Sequence, residues 1–249
     1  MLGVTRFWVI WLPAMICVSA VLTLGGCAGA PGVGLAGGPG HFSKVIIDPG
    51  HGGKDSGGVS GRAAPVFLRE KDLTLDTARR VRNELRGAGL KTVMTREDDH
   101  FVELDDRVRF ADAQGHGAIL VSIHYDAVSS RGMNGAKTFY WRADSHGLAT
   151  RIQRHLVAAT GEANIGVLRR RLRLTRNPDI PCVLCECAYI TNPAEAQKVA
   201  QDSYRQKVAN GIAQGILEEY RLGDAGIPPV PEIYSPPSRA SDKYTPRNH

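Results

Sequence analysis

Four side chains are of the types needed to bind a metal ion and to move a proton beside it: His51, Glu70, His124 and Glu186. Two imidazoles and a carboxylate are ligands that Zn²⁺ accepts, and three protein ligands leave a fourth position for water, as in catalytic zinc sites. Bound zinc lowers the pKa of its water from about 15.7 to about 7 and polarises a nearby carbonyl. Glu186 could then accept the water proton and pass it to a leaving amine.

The local sequence places both histidines after strands. Val45-Ile46-Ile47 predicts a short buried strand, because β-branched residues favour strands. A Pro-Gly pair ends this strand, so His51 lies on a glycine-rich loop just past its carboxyl end. A second apolar strand, residues 118–123, ends on His124. Open α/β sheets bind their ligands at this edge.

The two glutamates complete the set. Glu70 begins a predicted helix over residues 70–89, in which apolar residues recur at helical spacing. Glu186 lies in a third predicted strand, residues 182–187, among apolar neighbours where an unpaired carboxylate is costly. A buried ion pair with Arg176 is the structural alternative to a catalytic role. The four residues do not form the His-Glu-x-x-His arrangement of a single helix, so the site depends on a sheet that brings them to one edge.

Strands alternate with helices along the rest of the chain. Further strands are predicted at residues 91–95, 136–141 and 172–174. Further helices begin near Leu104, Leu148 and Asn192, and a last helix covers residues 204–220. This alternation predicts an α/β fold: a single domain with a mainly parallel, twisted sheet and helices on both of its faces.

Other residues near the site have a functional and a structural interpretation. Asp48 precedes His51 and is predicted to hydrogen-bond a ligating imidazole, with capping of the strand end as the alternative. Alternation along the third strand puts Cys185 and Cys187 on one face and Glu186 on the other. Close cysteines on one strand make a strained disulfide and a poor tetrahedral metal site. We therefore interpret them, together with Cys182, as small core residues.

Composition indicates a globular protein. The 249 residues include 6% aromatic and 22% charged residues, and the formal net charge is +6. Such a length suits one sizeable domain with short extensions. The positive charge is too small, and too poorly interleaved with aromatic residues, to predict nucleic-acid binding.

The first residues have the pattern of an export signal. Arg6 precedes a long apolar run, and no further Lys, Arg, Asp or Glu occurs before Lys44. Leu24-Gly25-Gly26-Cys27 resembles the lipobox of bacterial lipoproteins, in which the cysteine becomes the lipid-modified first residue. We predict a lipoprotein-type signal over residues 1–26, lipidation of Cys27 and a flexible tether over residues 27–43. Cleavage after Ala30 and an uncleaved membrane anchor are the alternatives.

The opposite end of the chain has a different composition. Residues 223–249 are rich in proline and show no apolar period, which predicts a disordered tail. The domain that carries the four chemical residues is therefore expected to span residues 44–222.

Four segments resemble the signatures of one enzyme family. VIIDPGHGGKDSGG (residues 45–58), LREKDLTLD (68–76), VSIHYDA (121–127) and VLCECAYITNP (183–193) are similar, in this order, to those of the zinc-dependent bacterial N-acetylmuramoyl-L-alanine amidases, the Amidase_3 family. The resemblance implies one zinc ion per chain and hydrolysis of the amide that joins N-acetylmuramic acid to L-alanine in peptidoglycan. By that match, His51, Glu70 and His124 are the zinc ligands and Glu186 is the catalytic acid and base.

The resemblance also sets wider expectations. Arg176 matches an arginine often found in the family and is expected to bind substrate, although a solvated basic surface is the alternative for the arginine-rich residues 165–178. Together with the predicted signal, the resemblance implies a lipoprotein in the bacterial cell envelope, on the periplasmic face, with its lipid in the membrane. A non-catalytic peptidoglycan-binding lipoprotein on the same scaffold and a related zinc peptidase or deacetylase stay open. Neither the residues nor the resemblance identifies an activator protein.

Overall fold

A computed structural model describes residues 40–61 and 64–230. In chain order the elements are β1 (Lys44–Pro49), α1 (Glu70–Gly87), β2 (Thr92–Met94), α2 (Leu104–Asp112), β3 (Ala118–Asp126), β4 (Ala136–Tyr140), a 3-10 turn (Ala143–Ser145), α3 (His146–Thr160), β5 (Asn164–Arg169), α4 (Arg173–Arg176), β6 (Cys182–Tyr189), α5 (Pro193–Val199) and α6 (Asp202–Leu222). The predicted signal, the lipidation site Cys27, residues 27–39 of the predicted tether and residues 231–249 of the predicted tail lie outside the described residues.

The strands form one sheet in the order β2-β1-β3-β6-β4-β5. Every neighbouring pair is parallel except β4 and β6, which are antiparallel. Val45 and Ile47 of β1 join a large apolar cluster that includes residues of α1, α3 and α6, whereas Ile46 joins a smaller cluster with residues of α2 and α4. The predicted α/β fold, with a mainly parallel sheet between two layers of helices, is therefore confirmed.

On the face of the sheet that carries the smaller cluster, the side chains change from apolar to polar along the strands. Leu120 of β3 and Cys182 of β6 are buried in that cluster. Alternation puts Ser122 and His124 of β3, and Glu186 of β6, further along the same face. Polar side chains therefore replace apolar ones toward the carboxyl ends of the strands, and the sheet presents its chemical groups at that edge.

Two predictions about strands were wrong. β3 does not end at His124 but continues through it to Asp126. Residues 172–174 do not form a strand: they lead into the short helix α4, where the Leu172 N–H donates to Thr175 Oγ1 at 3.1 Å. The arginine-rich segment contains a different strand, β5, which pairs with β4 and lies at the edge of the sheet formed by the described residues. Most residues of β5 are only partly buried, so the strand lacks the clear alternation of buried and exposed residues by which strands are recognised.

Asn192 and Glu195, three residues apart, predict a capping box at the start of α5, and the structure shows half of it. Asn192 Oδ1 caps the helix by accepting hydrogen bonds from the Ala194 N–H at 2.9 Å and the Glu195 N–H at 3.2 Å. Glu195 does not reach back to Asn192. Its carboxylate accepts hydrogen bonds from the N–H groups of Gly135 and Tyr189, at 2.7 and 2.6 Å. Glu195 therefore ties the loop before β4 to the end of β6.

Residues 223–230 follow α6. The Arg151 guanidinium donates hydrogen bonds to the carbonyl oxygens of Gly223 and Ala225, at 2.8 and 2.7 Å.

In the part of the chain described by the structure, no helix combines the length and the hydropathy needed to cross a bilayer.

Candidate metal centre

The structure brings His51, Glu70 and His124 together at the carboxyl edge of the sheet. Their ligand atoms all lie within 4.8 Å of one another. His51 Nε2 is 3.0 Å from Glu70 Oε2, and His124 Nδ1 is 2.9 Å from Glu70 Oε1. The ligands of a tetrahedral zinc ion, with bonds of about 2.1 Å, are about 3.4 Å apart. The donor set therefore has the composition and the size that one zinc ion requires.

Glu70, the first residue of α1, is held from several sides. Its side chain accepts hydrogen bonds from the N–H groups of Gly58 and Tyr125, at 2.8 and 3.1 Å. Burial raises the pKa of Glu70, but hydrogen bonds with His124 and His51 outweigh burial and hold the pKa far below its ordinary value. Glu70 is therefore ionised, as a carboxylate ligand must be.

The loop after β1 holds His51 in an unusual backbone conformation. Its φ of 60° lies in the left-handed region, which non-glycine residues seldom adopt and which is often found at functional sites. Arg107 of α2 anchors this loop: its Nη2 donates to the His51 carbonyl at 2.6 Å and its Nη1 to the Pro49 carbonyl at 2.7 Å. These bonds keep the imidazole directed at Glu70.

The hydrogen bonds of Asp48 do not go to an imidazole, contrary to the prediction. Its Oδ1 accepts from Arg107 Nη1 at 2.6 Å and from Thr95 Oγ1 at 2.5 Å, and its Oδ2 accepts from Ser122 Oγ at 2.6 Å. Burial raises the pKa of Asp48, but Arg107 and the two hydroxyl groups outweigh burial and hold the pKa below its ordinary value. Asp48 therefore supports the His51 loop through Arg107.

Asp55 makes the contact that was predicted for Asp48. Its Oδ2 is 2.8 Å from His51 Nδ1. A carboxylate at this nitrogen orients the ring and leaves Nε2 to face a metal ion, which is the usual support for a ligating histidine. Burial lowers the pKa of His51, but Glu70 and Asp55 outweigh burial and raise it above its ordinary value. The surroundings of the ring therefore favour positive charge.

Sequence reasoning missed two buried arginines at the loop. Arg96, which follows β2, donates from Nη2 to the carbonyls of Gly50 and Lys71 at 2.8 and 2.9 Å. Together with Arg107, it satisfies carbonyl groups of the His51 loop and ties that loop to α1. Arginines are mostly surface residues, so the residue type alone carries no sign of this role.

Glu186 lies beside the ligands in the register of the sheet. In β6, Glu186 is the partner of His124 in β3 and of Lys137 in β4. Its Oε2 atom is buried and has no hydrogen-bond partner among the described residues. Burial raises the pKa of Glu186 well above its ordinary value; Glu70 and Asp126 raise it further, and Lys137 opposes them. A buried oxygen without a partner beside the ligands can accept a proton from water.

Arg176 is not among the groups that most affect the pKa of Glu186. Its Nε donates a hydrogen bond to Asn177 Oδ1 at 3.0 Å. A cavity of about 260 Å³ opens beside the ligands, between the His51 loop, the residues around the start of α2, and Leu174 of α4. Arg176 does not line this cavity. Its contact with substrate stays a prediction.

The cysteines of β6 do not take part in the site. Cys182, Cys185 and Cys187 are buried, and none of them forms a disulfide within residues 40–61 and 64–230. Burial raises the pKa of Cys185 to about 12. Their interpretation as core residues is confirmed.

The chain belongs to the Amidase_3 family, described as N-acetylmuramoyl-L-alanine amidase, which matches residues 45–218. It is similar to the N-acetylmuramoyl-L-alanine amidase LytC of Bacillus subtilis, with 36% identity over 71% of this chain and 35% of LytC. It is also similar to the probable cell wall amidase LytH of Staphylococcus epidermidis, with 32% identity over 75% of this chain and 61% of LytH.

A solved structure with the same fold is that of the catalytic domain of CwlV, an N-acetylmuramoyl-L-alanine amidase from Bacillus (Paenibacillus) polymyxa var. colistinus. The two chains are 34% identical, with a TM-score of 0.66 over 71% of this chain and 97% of that domain. This chain thus covers nearly all of a catalytic domain, but only about a third of LytC and three fifths of LytH.

Proposed function

We propose that this chain is a zinc-dependent N-acetylmuramoyl-L-alanine amidase, which hydrolyses the amide between the lactyl group of N-acetylmuramic acid and L-alanine in peptidoglycan. The observation that carries the proposal is the convergence of His51, Glu70 and His124 on one point, with Glu186 beside them in the sheet register. Membership of the family and the names of the relatives support the class of substrate.

The metal ligands and Glu186 have separate roles in the proposed reaction. Zinc held by His51, Glu70 and His124 would supply an acidified water and a polarised amide carbonyl. Glu186 Oε2 accepts a proton from the attacking water and delivers it to the amine nitrogen as the C–N bond breaks. A raised pKa makes the Glu186 carboxylate a stronger base than an exposed glutamate, which favours its capture of the water proton.

Digestion of purified peptidoglycan tests this proposal. The zinc-loaded full chain should release free peptide stems with an N-terminal alanine, detected by mass spectrometry, and a chelator should abolish the release. Glu186→Gln should keep one zinc ion per chain but lose activity by a factor of about 10²–10⁴. Glu97→Gln changes an exposed glutamate, with a side chain 64% exposed, and should leave the activity unchanged.

The alternatives predict other products. Cleavage inside the peptide would indicate a peptidase, and release of acetate would indicate a deacetylase. Binding to peptidoglycan without any product from the zinc-loaded chain would indicate a wall-binding protein. Activity that persists in Glu186→Gln would refute the assigned acid and base.

We also propose that the chain is exported to the cell envelope and anchored through a lipid on Cys27. The pattern Leu24-Gly25-Gly26-Cys27 supports this location, as do relatives described as cell wall amidases. Mass spectrometry of the N-terminus of the protein made in a bacterial host should show a diacylglyceryl-modified Cys27, and Cys27→Ala should abolish that modification. An unmodified N-terminus after Ala30 would favour simple secretion instead.

A further inference from the structure

Lys137 lies next to Glu186, on the side away from the metal ligands. His124 of β3, Glu186 of β6 and Lys137 of β4 are partners in one row across the sheet. Neighbouring strands are about 4.8 Å apart. The row therefore carries, in order, a metal ligand, the acid and base, and the backbone of Lys137, whereas the cavity lies beyond the other end of the row, next to His51.

The ammonium group of Lys137 is held in place above β6. It forms an ion pair with Asp126 and donates a hydrogen bond to the Tyr189 hydroxyl at 2.8 Å. Nζ also lies 4.8 Å from the centre of the Tyr189 ring. Burial lowers the pKa of Lys137, but Asp126 and Tyr189 outweigh burial and raise it above its ordinary value. Lys137 is thus charged, and these bonds use two of its three N–H donors.

The direction of the substrate follows from the proposed reaction. Glu186 must reach the amine nitrogen, which leaves with the peptide, so the peptide lies on the Glu186 side of the metal ligands. The sugar and its lactyl group then lie toward His51 and the cavity. An extended peptide spans at most about 3.6 Å per residue, so the α-carboxylate of the second residue lies within about 7 Å of the scissile nitrogen. The strand that carries Lys137 lies about 4.8 Å from the strand that carries Glu186, which is within this reach.

From this arrangement, which rests on the proposed function, we infer that Lys137 is a specificity residue for the leaving peptide. It binds the α-carboxylate of the second residue, which is free when the peptide continues from the side-chain carboxyl of that residue. The third N–H donor of the ammonium group makes the contact. Charge-assisted hydrogen bonds are stronger than neutral ones, so an amidated second residue is bound less well. Because Asp126 and Tyr189 already fix the ammonium group, little side-chain entropy is lost on binding.

The test compares two synthetic muropeptides that differ only in whether this carboxylate is free or amidated. The zinc-loaded full chain should cleave the free form with a kcat/KM about tenfold higher, mainly through KM. Lys137→Met keeps the aliphatic part of the side chain but removes the charge, and should abolish the preference. Lys137→Arg should retain most of the preference. Lys207→Met makes the same change at an exposed position of α6 and should leave the preference unchanged.

The outcomes separate this inference from the proposed function. If the wild type cleaves both muropeptides equally well, the inference is wrong while the amidase function stands. If the zinc-loaded chain cleaves neither, the proposed function is wrong. A preference that persists in Lys137→Met belongs to another residue and overturns the inference. The comparison of substrates in the wild type needs no variant, so it decides the matter even if thermal unfolding shows that Lys137→Met is poorly folded.

Discussion

Replacement of Arg107 by methionine would test whether a buried ion pair holds the His51 loop. Arg107 is 2% exposed and Asp48 is fully buried, with 2.6 Å between Arg107 Nη1 and Asp48 Oδ1. The substitution also removes the donors to the carbonyls of Pro49 and His51. Methionine retains much of the apolar volume of arginine, so the main losses are charge and hydrogen bonds.

The expected loss of stability is large. Removal of one partner of a buried ion pair costs about 3–5 kcal/mol, because the other charge stays buried without compensation. In a domain of this size, 1 kcal/mol shifts Tm by about 2–4 °C. The Tm of the metal-free protein should therefore fall by about 6–20 °C. Zinc affinity should fall as well, because the positive φ of His51 loses the hydrogen bond that stabilises it.

The loss should also depend on pH. In the wild type, the pKa of Asp48 is below its unfolded value of about 3.9, so the ion pair stabilises the fold above that pH and is lost as pH falls through the folded pKa. In Arg107→Met, burial is no longer offset by Arg107, and the pKa of Asp48 should rise above its unfolded value. The variant then loses stability as pH increases from the pKa of Asp48 in the unfolded chain to its higher pKa in the folded variant. The difference in Tm between the two proteins should therefore be larger at pH 8 than at pH 5.

Thermal unfolding of chelator-treated protein at both pH values measures these effects. Arg109→Met changes a 70% exposed arginine on the same helix and should shift Tm by little. A double-mutant cycle with Asp48→Asn isolates the pair and should give a coupling free energy of at least about 1 kcal/mol. A coupling near zero, or a loss of stability equal to that of Arg109→Met, would refute the reasoning.

Two further predictions concern the carboxylate of Asp55, which contacts His51, and that of Glu195, which ties the loop before β4 to the end of β6. Asp55→Asn should weaken zinc binding by about 10–100-fold, because His51 Nδ1 loses its carboxylate partner. Competition with a chromophoric chelator measures this affinity. The control Asp98→Asn changes an exposed carboxylate that is bound to His100 and should have no effect. Burial and Glu162 raise the pKa of Glu195 to about 7, so the wild type should lose stability as pH rises from about 4.3 to about 7. Glu162→Gln removes the repelling carboxylate, and its urea midpoint should fall less between pH 5 and pH 8. A decline as steep as that of the wild type would contradict this account.

Local patterns in the sequence were sufficient to predict the fold class and to select three residues that the structure brings together at the candidate metal centre. The β-branched run before His51 predicts β1, and helical spacing from Glu70 predicts α1, which indeed begins at that residue. Each of these patterns depends on residues within a few positions of one another. Where the pattern is weak, prediction failed: the partly buried edge strand β5 shows no clear alternation, and α4 is a single turn.

The neighbours of the ligands depended on tertiary structure. Asp48 and Asp55 lie on either side of His51 in the sequence, but only the fold shows that Asp55 reaches the imidazole while Asp48 pairs with Arg107 from α2. Likewise, Lys137 lies beside Glu186 because β4 pairs antiparallel with β6, within a sheet that is otherwise parallel. Strand order and direction depend on how whole faces are buried against helices, and residues far apart in the chain share that burial. The sequence by itself therefore determined which groups could bind metal and transfer a proton, and the tertiary structure decided which charges surround them.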